Sequence, residues 1–174
     1  MTPRPRTASR RAAEEPSPPA YQLKVTLLDV QPPVWRRILV PGNISLDRLH
    51  SAVQEAMGWT NSHLHEFSVR GRRYGQPDPE EPDAALEHEW KVTLREVAPT
   101  EGLSFEYLYD FGDGWTHEIL VESITAQEKG LRSPVCLAGE RRCPPEDCGG
   151  PGGYADFLEA MRDPRHPQHD DMLE

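Results

Sequence analysis

Two histidines separated by a single residue, His63 and His65, are followed downstream by Asp110, Asp113 and His117. On a strand, residues i and i+2 point to the same side. Two imidazoles so placed, with a third ligand from the next hairpin, could hold a divalent metal. The competing reading puts His63 in a turn and lets His65 and His117 finish strand ends beside an aromatic core. Trp115 stands between the aspartates and His117, so it belongs to the same candidate surface.

A second group is Cys136-x6-Cys143-x4-Cys148, with His166 and His169 downstream in HPQH. Three thiolates and one imidazole would complete a tetrahedral zinc site, so zinc is the cofactor this pattern points to. The spacing lacks the CxxC knuckle of the strong zinc signatures. The cysteines could equally be small buried thiols, or Cys143 and Cys148 could oxidise to each other. Between them, Glu146 and Asp147 could serve as general acid and base. They could instead cap their turn or pair with Arg141 and Arg142.

Other strings carry weaker chemistry. Tyr109-Asp110-Phe111-Gly112-Asp113-Gly114-Trp115 contains the letters DFG, but no glycine-rich strand or HRD loop precedes them, so a kinase is excluded. Oxygen ligands do not recur at alternate positions, so it is not an EF-hand loop. Gly112 and Gly114 suit a tight turn whose carboxylates cap local amides. Gly149-Gly150-Pro151-Gly152-Gly153 could cradle an anion before a helix, or simply turn the chain. Trp35-Arg36-Arg37 could stack and pair with a single-stranded nucleic acid, or pack within a hairpin.

These residues need elements to hold them. Tyr21, Leu23, Val25 and Leu27 alternate with polar residues, which predicts a strand with one buried face. Pro32-Pro33 breaks it, and residues 34–40 (VWRRILV) form a second strand. Leu46, Leu49, Val53, Ala56 and Met57 lie on one helical face, with Ser45 as N-cap and Gly58 as the stop. His65, Phe67 and Val69 predict a third strand. Residues 76–89 (QPDPEEPDAALEHE) read as an acidic loop, and Trp90, Val92 and Leu94 as a short strand. Residues 103–109 and 115–121 form a hairpin around Asp113-Gly114. An irregular stretch then carries the cysteines, and a last helix shows Tyr154, Phe157, Leu158 and Met161 on one face before Pro164. The expected fold is α+β: a β-grasp-like mixed sheet, β-β-α-β with further hairpin strands, and a C-terminal helix.

Composition sets the outer limits. The chain has 174 residues, 29 Asp and Glu against 19 Lys and Arg, and a formal net charge of −10. That length suits one domain, with residues 1–20 as a disordered arm and 21–174 as the domain. The arm holds five prolines, four arginines and two glutamates, so it carries +2 and leaves −12 on the remainder. An acidic domain opposes wholesale binding to phosphate backbones, but nucleic acid could be touched through the basic arm. No apolar run reaches the roughly 20 residues of a membrane span. The odd number of cysteines and the absence of an apolar leader point to a reducing, cytoplasmic compartment.

The strings VWRRILVP, VQEAMGW, HLHEF, YDFGDGWTHEI, CPPEDCGGPGGY and FLEAMRDPRHPQH, in this order, resemble the Ri-plasmid ORF-three-like family over residues 20–174. The resemblance implies an α+β fold and an origin in mobile elements. Some family members are labelled transposon resolvases, yet this chain shows no resolvase nucleophile with an arginine cluster. What the resemblance carries over is a location: the loops around HLHEF, DFGDGW and CPPEDCGG. The expected function is therefore an accessory or interaction module whose partner is a protein. The alternatives are a metal-binding protein or metal-dependent enzyme built on the His or Cys clusters, and a DNA-recombination accessory acting through the arm.

Overall fold

The computed structural model describes residues 18–78, 80, 83, 85–126 and 131–170. The arm expected over residues 1–20 therefore lies, for residues 1–17, outside the described residues. The first two strands, β1 (Ala20–Leu27) and β2 (Val34–Pro41), form an antiparallel hairpin. Helix α1 (Leu46–Met57) follows, and Gly58, at a φ of 87°, ends it in the left-handed region that glycine tolerates. Strand β3 (His65–Val69) turns through Arg70-Gly71, both at positive φ, into β4 (Arg72–Gly75). Strand β5 (Leu86–His88) runs parallel to β4. A 3₁₀ turn at Glu89–Lys91 and the short helix α2 (Leu94–Val97) come next. Strands β6 (Ser104–Tyr109), β7 (Trp115–Thr125) and β8 (Val135–Glu140) precede helix α3 (Gly150–Arg162).

The eight strands of the described residues share one sheet in the order β5-β4-β3-β6-β7-β1-β2-β8. Among these strands only β4 and β5 pair in parallel, so the sheet is mixed and the fold is α+β, as the element pattern predicts. The returning strand β3 does not lie beside β1, because β6 and β7 stand between them. The strand expected around Trp90, Val92 and Leu94 is instead the 3₁₀ turn and the start of α2. Glu96 decides this locally: its carboxylate accepts from the N–H and the hydroxyl of Thr93, at 2.7 and 2.6 Å. That is the return half of a capping box, and it starts a helix where a strand would need extended backbone.

The core lies on one face of the sheet. Leu23, Val25, Leu27, Ile38, Val40, Phe67, Phe105, Tyr107, Tyr109, Ile119 and Val121 point into it, and α1 covers it with Leu46, Leu49, Val53 and Met57. The opposite face carries Gln22, Lys24, Trp35 and Arg37, with Arg37 bound to both carboxylate oxygens of Glu122 at 2.6 and 2.7 Å. No helix of the described residues is long and apolar enough to cross a membrane.

Candidate functional site

Three connections meet at the end of the sheet where β3 begins and β6 ends. The first follows α1, the second is the β6–β7 turn, and the third leads from β8 into α3. Aromatic packing seats them. Trp59 stacks on Tyr109 with ring centroids 5.1 Å apart, and its indole N–H donates to Pro144 O at 3.0 Å. Thr60 donates from its N–H and its hydroxyl to the two carboxylate oxygens of Glu146, at 2.8 and 2.9 Å. Tyr109 donates its hydroxyl to Glu146 Oε1 at 3.0 Å and accepts the Ser62 N–H. Glu146 is thus the knot that ties the third loop to the first. Burial alone would raise its carboxyl, but the Thr60 and Tyr109 donors outweigh that and hold it below the usual range. Burial, with this bond to Glu146, pushes the Tyr109 phenol up to about 12.

The β6–β7 turn is equally fixed. Asp110 Oδ1 accepts the N–H groups of Gly112 and Asp113 at 2.9 and 3.3 Å, and its carbonyl accepts the Gly114 N–H at 2.7 Å. The Asp110 N–H donates to Leu64 O at 2.9 Å, which joins the first loop to the turn. Asp113 Oδ2 accepts the Gly149 N–H at 3.2 Å, which joins the turn to the third loop.

This convergence brings His63, Asp110 and Asp147 together. Among the described residues they form the one group of three His, Cys, Asp or Glu side chains whose ligand atoms all lie within 4.8 Å of one another. His63 Nε2 is 3.1 Å from Asp147 Oδ1 and 3.6 Å from Asp110 Oδ2. The Asp110 side chain is 9% exposed and that of His63 28%, whereas that of Asp147 is 74% exposed. The group is walled on one side and open to solvent on the other. His63 Nε2 is itself buried and makes no hydrogen bond among the described residues: Asp110 Oδ2 is too far, and Asp147 Oδ1 lies at ion-pair distance without hydrogen-bond alignment. Asp110 and Asp147 both sit at positive φ, 56° and 57°, a conformation that aspartate adopts more readily than most residues.

His65 and His117 do not join His63. His63 precedes β3 rather than lying in it, so the period-two argument from His63 to His65 does not apply. His65 Nε2 donates to Glu89 at 2.7 Å, and its ring stacks on His50 with centroids 3.4 Å apart. His50, which the sequence reading missed, donates from Nε2 to Asn61 Oδ1 at 2.6 Å and accepts the Tyr107 hydroxyl at Nδ1, 2.7 Å away. Gln54 donates to the same hydroxyl at 3.0 Å. The available signal was that His50 and Gln54 sit four residues apart on α1, on the face that turns inward. Tyr107→Phe would leave Gln54 without its acceptor and His50 without its donor in the core. It is expected to cost about 1–3 kcal/mol, read by urea unfolding. An unchanged midpoint would show that the network carries no stability.

His117 and Trp115 belong to the core. His117 is fully buried, bonded to Tyr107 O at 3.2 Å and edge-on to Trp59. Trp115 is 1% exposed and lies 6.0 Å from Trp59 between ring centroids.

The proposed zinc ligands occupy separate settings. Cys136 is exposed on β8. Cys143 is buried, its sulfur 3.2 Å from Met57 Sδ and 3.3 Å from Arg36 Nη2. Burial pushes its thiol up to about 11 against the pull of Arg36. Cys148, half-buried, is likewise pushed up to about 11, and all three cysteines are free. His169 Nδ1 lies 2.8 Å from Ala160 O, and the His166 N–H donates to Asp163 O, so both finish α3.

The chain is 49% identical over 153 residues to the uncharacterized protein y4hQ of Sinorhizobium fredii, covering 88% of this chain and 78% of that one. It is similar to the crystal structure of a protein of unknown function, MM3350, from Methanosarcina mazei Go1. The TM-score is 0.79 at 34% identity, covering 89% of this chain and 88% of the other. The match to the family model extends from residue 19 to residue 174, taking in the whole sheet, α3 and all three converging loops. This chain belongs to the family of plasmid pRiA4b ORF-3-like proteins.

Proposed function

We propose that the three loops form a divalent-cation site with His63, Asp110 and Asp147 as ligands, and that this chain functions as a metal-binding protein. The observation that carries the reading is the orphaned, buried Nε2 of His63 between two carboxylates. Nε2 stands at ion-pair distance from Asp147 yet makes no aligned hydrogen bond to either carboxylate. Ligand atoms held at 2.0–2.1 Å by a tetrahedral ion stand about 3.3 Å apart, close to the separations of Nε2 from the two aspartate oxygens. One imidazole and two carboxylates suit a borderline ion such as Zn²⁺ or Mn²⁺ better than a thiolate-loving one.

The chain supplies the positioning. The amides of Gly112 and Gly114 and the backbone tie to Leu64 hold Asp110 before any ion arrives. The Gly112 and Asp113 amides occupy Oδ1, so Oδ2 is the oxygen turned to the site. Glu146 sets the neighbouring Asp147 through its bonds to Thr60. Three protein ligands and an open side leave a position for water or for an oxygen of a ligand, which a bound ion would polarise.

Mn²⁺ titration into the full chain, followed by the electron paramagnetic resonance of the free ion, tests the reading. A single ion per chain is expected, displaced by Zn²⁺. Asp110→Asn, which keeps the turn's acceptor, should weaken binding about tenfold or more. Equal binding by wild type and Asp110→Asn would refute it.

A further inference from the structure

Five large apolar side chains stand in solvent among the described residues, and two of them flank the proposed cation site. Leu64 follows His63 and is 62% exposed; Phe111 follows Asp110 and is 55% exposed. The Asp110 N–H bond to Leu64 O places the two backbones side by side. The turn bearing Phe111 is pinned by the bonds from Gly112, Asp113 and Gly114 to Asp110. Phe111 is therefore held out by a rigid backbone. Neither turn needs an apolar residue at these positions, since polar residues make such turns equally well. Rigid, exposed aromatic and aliphatic groups beside polar ones are the anchors on which interfaces concentrate their binding energy.

Charge selects the occupant. A divalent cation balances Asp110 and Asp147, but Asp113 and Glu146 remain beside them, each already an acceptor within the loops. The rim stays acidic with the ion bound. Phosphates and carboxylates on a partner are repelled there, while lysine and arginine are drawn in. The same rim, on a chain of net charge −10, opposes docking of a second copy.

We infer that this rim docks a basic, apolar peptide segment of a partner protein. An apolar side chain lies against Leu64 and Phe111, flanking basic side chains meet Asp113 and Glu146, and a backbone carbonyl faces the open side of the cation. The last contact alone rests on the cation reading of the same site.

Fluorescence anisotropy with labelled peptides tests it on the full chain, with and without Mn²⁺. Lys-Phe-Lys-Leu-Lys should bind about tenfold more tightly than either Lys-Ser-Lys-Ser-Lys or Glu-Phe-Glu-Leu-Glu. The double variant Leu64→Ser with Phe111→Ser removes only exposed groups, so it folds, and it should lose that preference while still binding Mn²⁺. Equal binding of the apolar and serine peptides would overturn the inference. So would an unaffected double variant, or binding of a DNA duplex in place of the peptide. Mn²⁺ bound normally with no peptide bound sinks this inference and leaves the cation site standing. Peptide preference without Mn²⁺ binding sinks the cation site and leaves the rim.

Discussion

Gly153→Ala is expected to destabilise the chain by about 3 kcal/mol or more, while Gly152→Ala, one residue earlier, should stabilise it by about 0.5–1 kcal/mol. The contrast follows from what a methyl group would meet. At Gly153 a Cβ falls inside the van der Waals radius of the Cys148 carbonyl oxygen, a backbone atom that cannot swing aside. At Gly152 it meets nothing within 4 Å, and alanine lowers the entropy of the unfolded chain at a helical position. Gly150 is the second close approach: it has a φ of 68°, and a Cβ there would overlap the Asp113 carbonyl. Glycine at 150 thus lets the loop before α3 lie against the β6–β7 turn, and glycine at 153 lets that loop fold back on the first turn of α3; together they set Asp147 beside Asp110. Gly153→Ala must move this loop, so it should also weaken Mn²⁺ binding. Urea unfolding of the two variants decides the matter. If both melt alike, the close packing of α3 on the loop does not hold in solution.

Stability should fall steeply as pH drops from about 6.5 towards 4. Burial, first of all, lowers His117 to about 4, and burial together with the neighbouring His65 lowers His50 to about 4. In the unfolded chain both rings take up a proton near 6.5. Between these values the unfolded state holds more protons than the folded one, so folding weakens as pH falls. Above 6.5 both states hold these rings neutral and the effect vanishes. Each ring contributes about 1.4 kcal/mol per pH unit inside the window, or about 3 kcal/mol at its acid end. The depressed carboxylates of Glu122 and Glu146 act in the same direction, at lower pH. His117→Leu removes one ring whose Nε2 has no partner, and it should flatten the slope by one proton. Equal unfolding free energies at pH 7 and pH 5 would contradict this account.

Much of the frame was legible because it is local. Strand β1 shows strict alternation, β2 is bracketed by Pro32-Pro33 and Pro41-Gly42, α1 shows a single apolar face, and Gly58 marks its end. The short helix α2 was missed because its signal, Thr93 with Glu96, competed with an apolar alternation through Trp90, Val92 and Leu94. Strand β8 was missed because it is an edge strand, exposed along its length, so no buried face imposes a period. Its pairing with β2 shifts register between Arg37 and Ile38, which breaks what alternation remains. The site was legible as three loops and as single residues, not as a set. His63 and Asp110 were both candidates, but Asp147 was paired in the reading with acid–base chemistry. Its place beside His63 depends on Glu146 reaching Thr60 across the chain, and no local pattern encodes such a bond. His65 and His117 look like ligands by type, and only the fold sets them apart from His63, His65 against Glu89 and His117 in the core beside Trp59.

A bound ion would be shared by His63, Asp110 and Asp147. Anomalous diffraction at the manganese edge, from crystals of the full chain grown with Mn²⁺, tests it most directly. The account predicts a peak about 2.0–2.3 Å from His63 Nε2 and from a carboxylate oxygen of each aspartate. A peak confined to Cys136, Cys143 or Cys148, or no peak between His63 and the aspartates at saturating Mn²⁺, would contradict it.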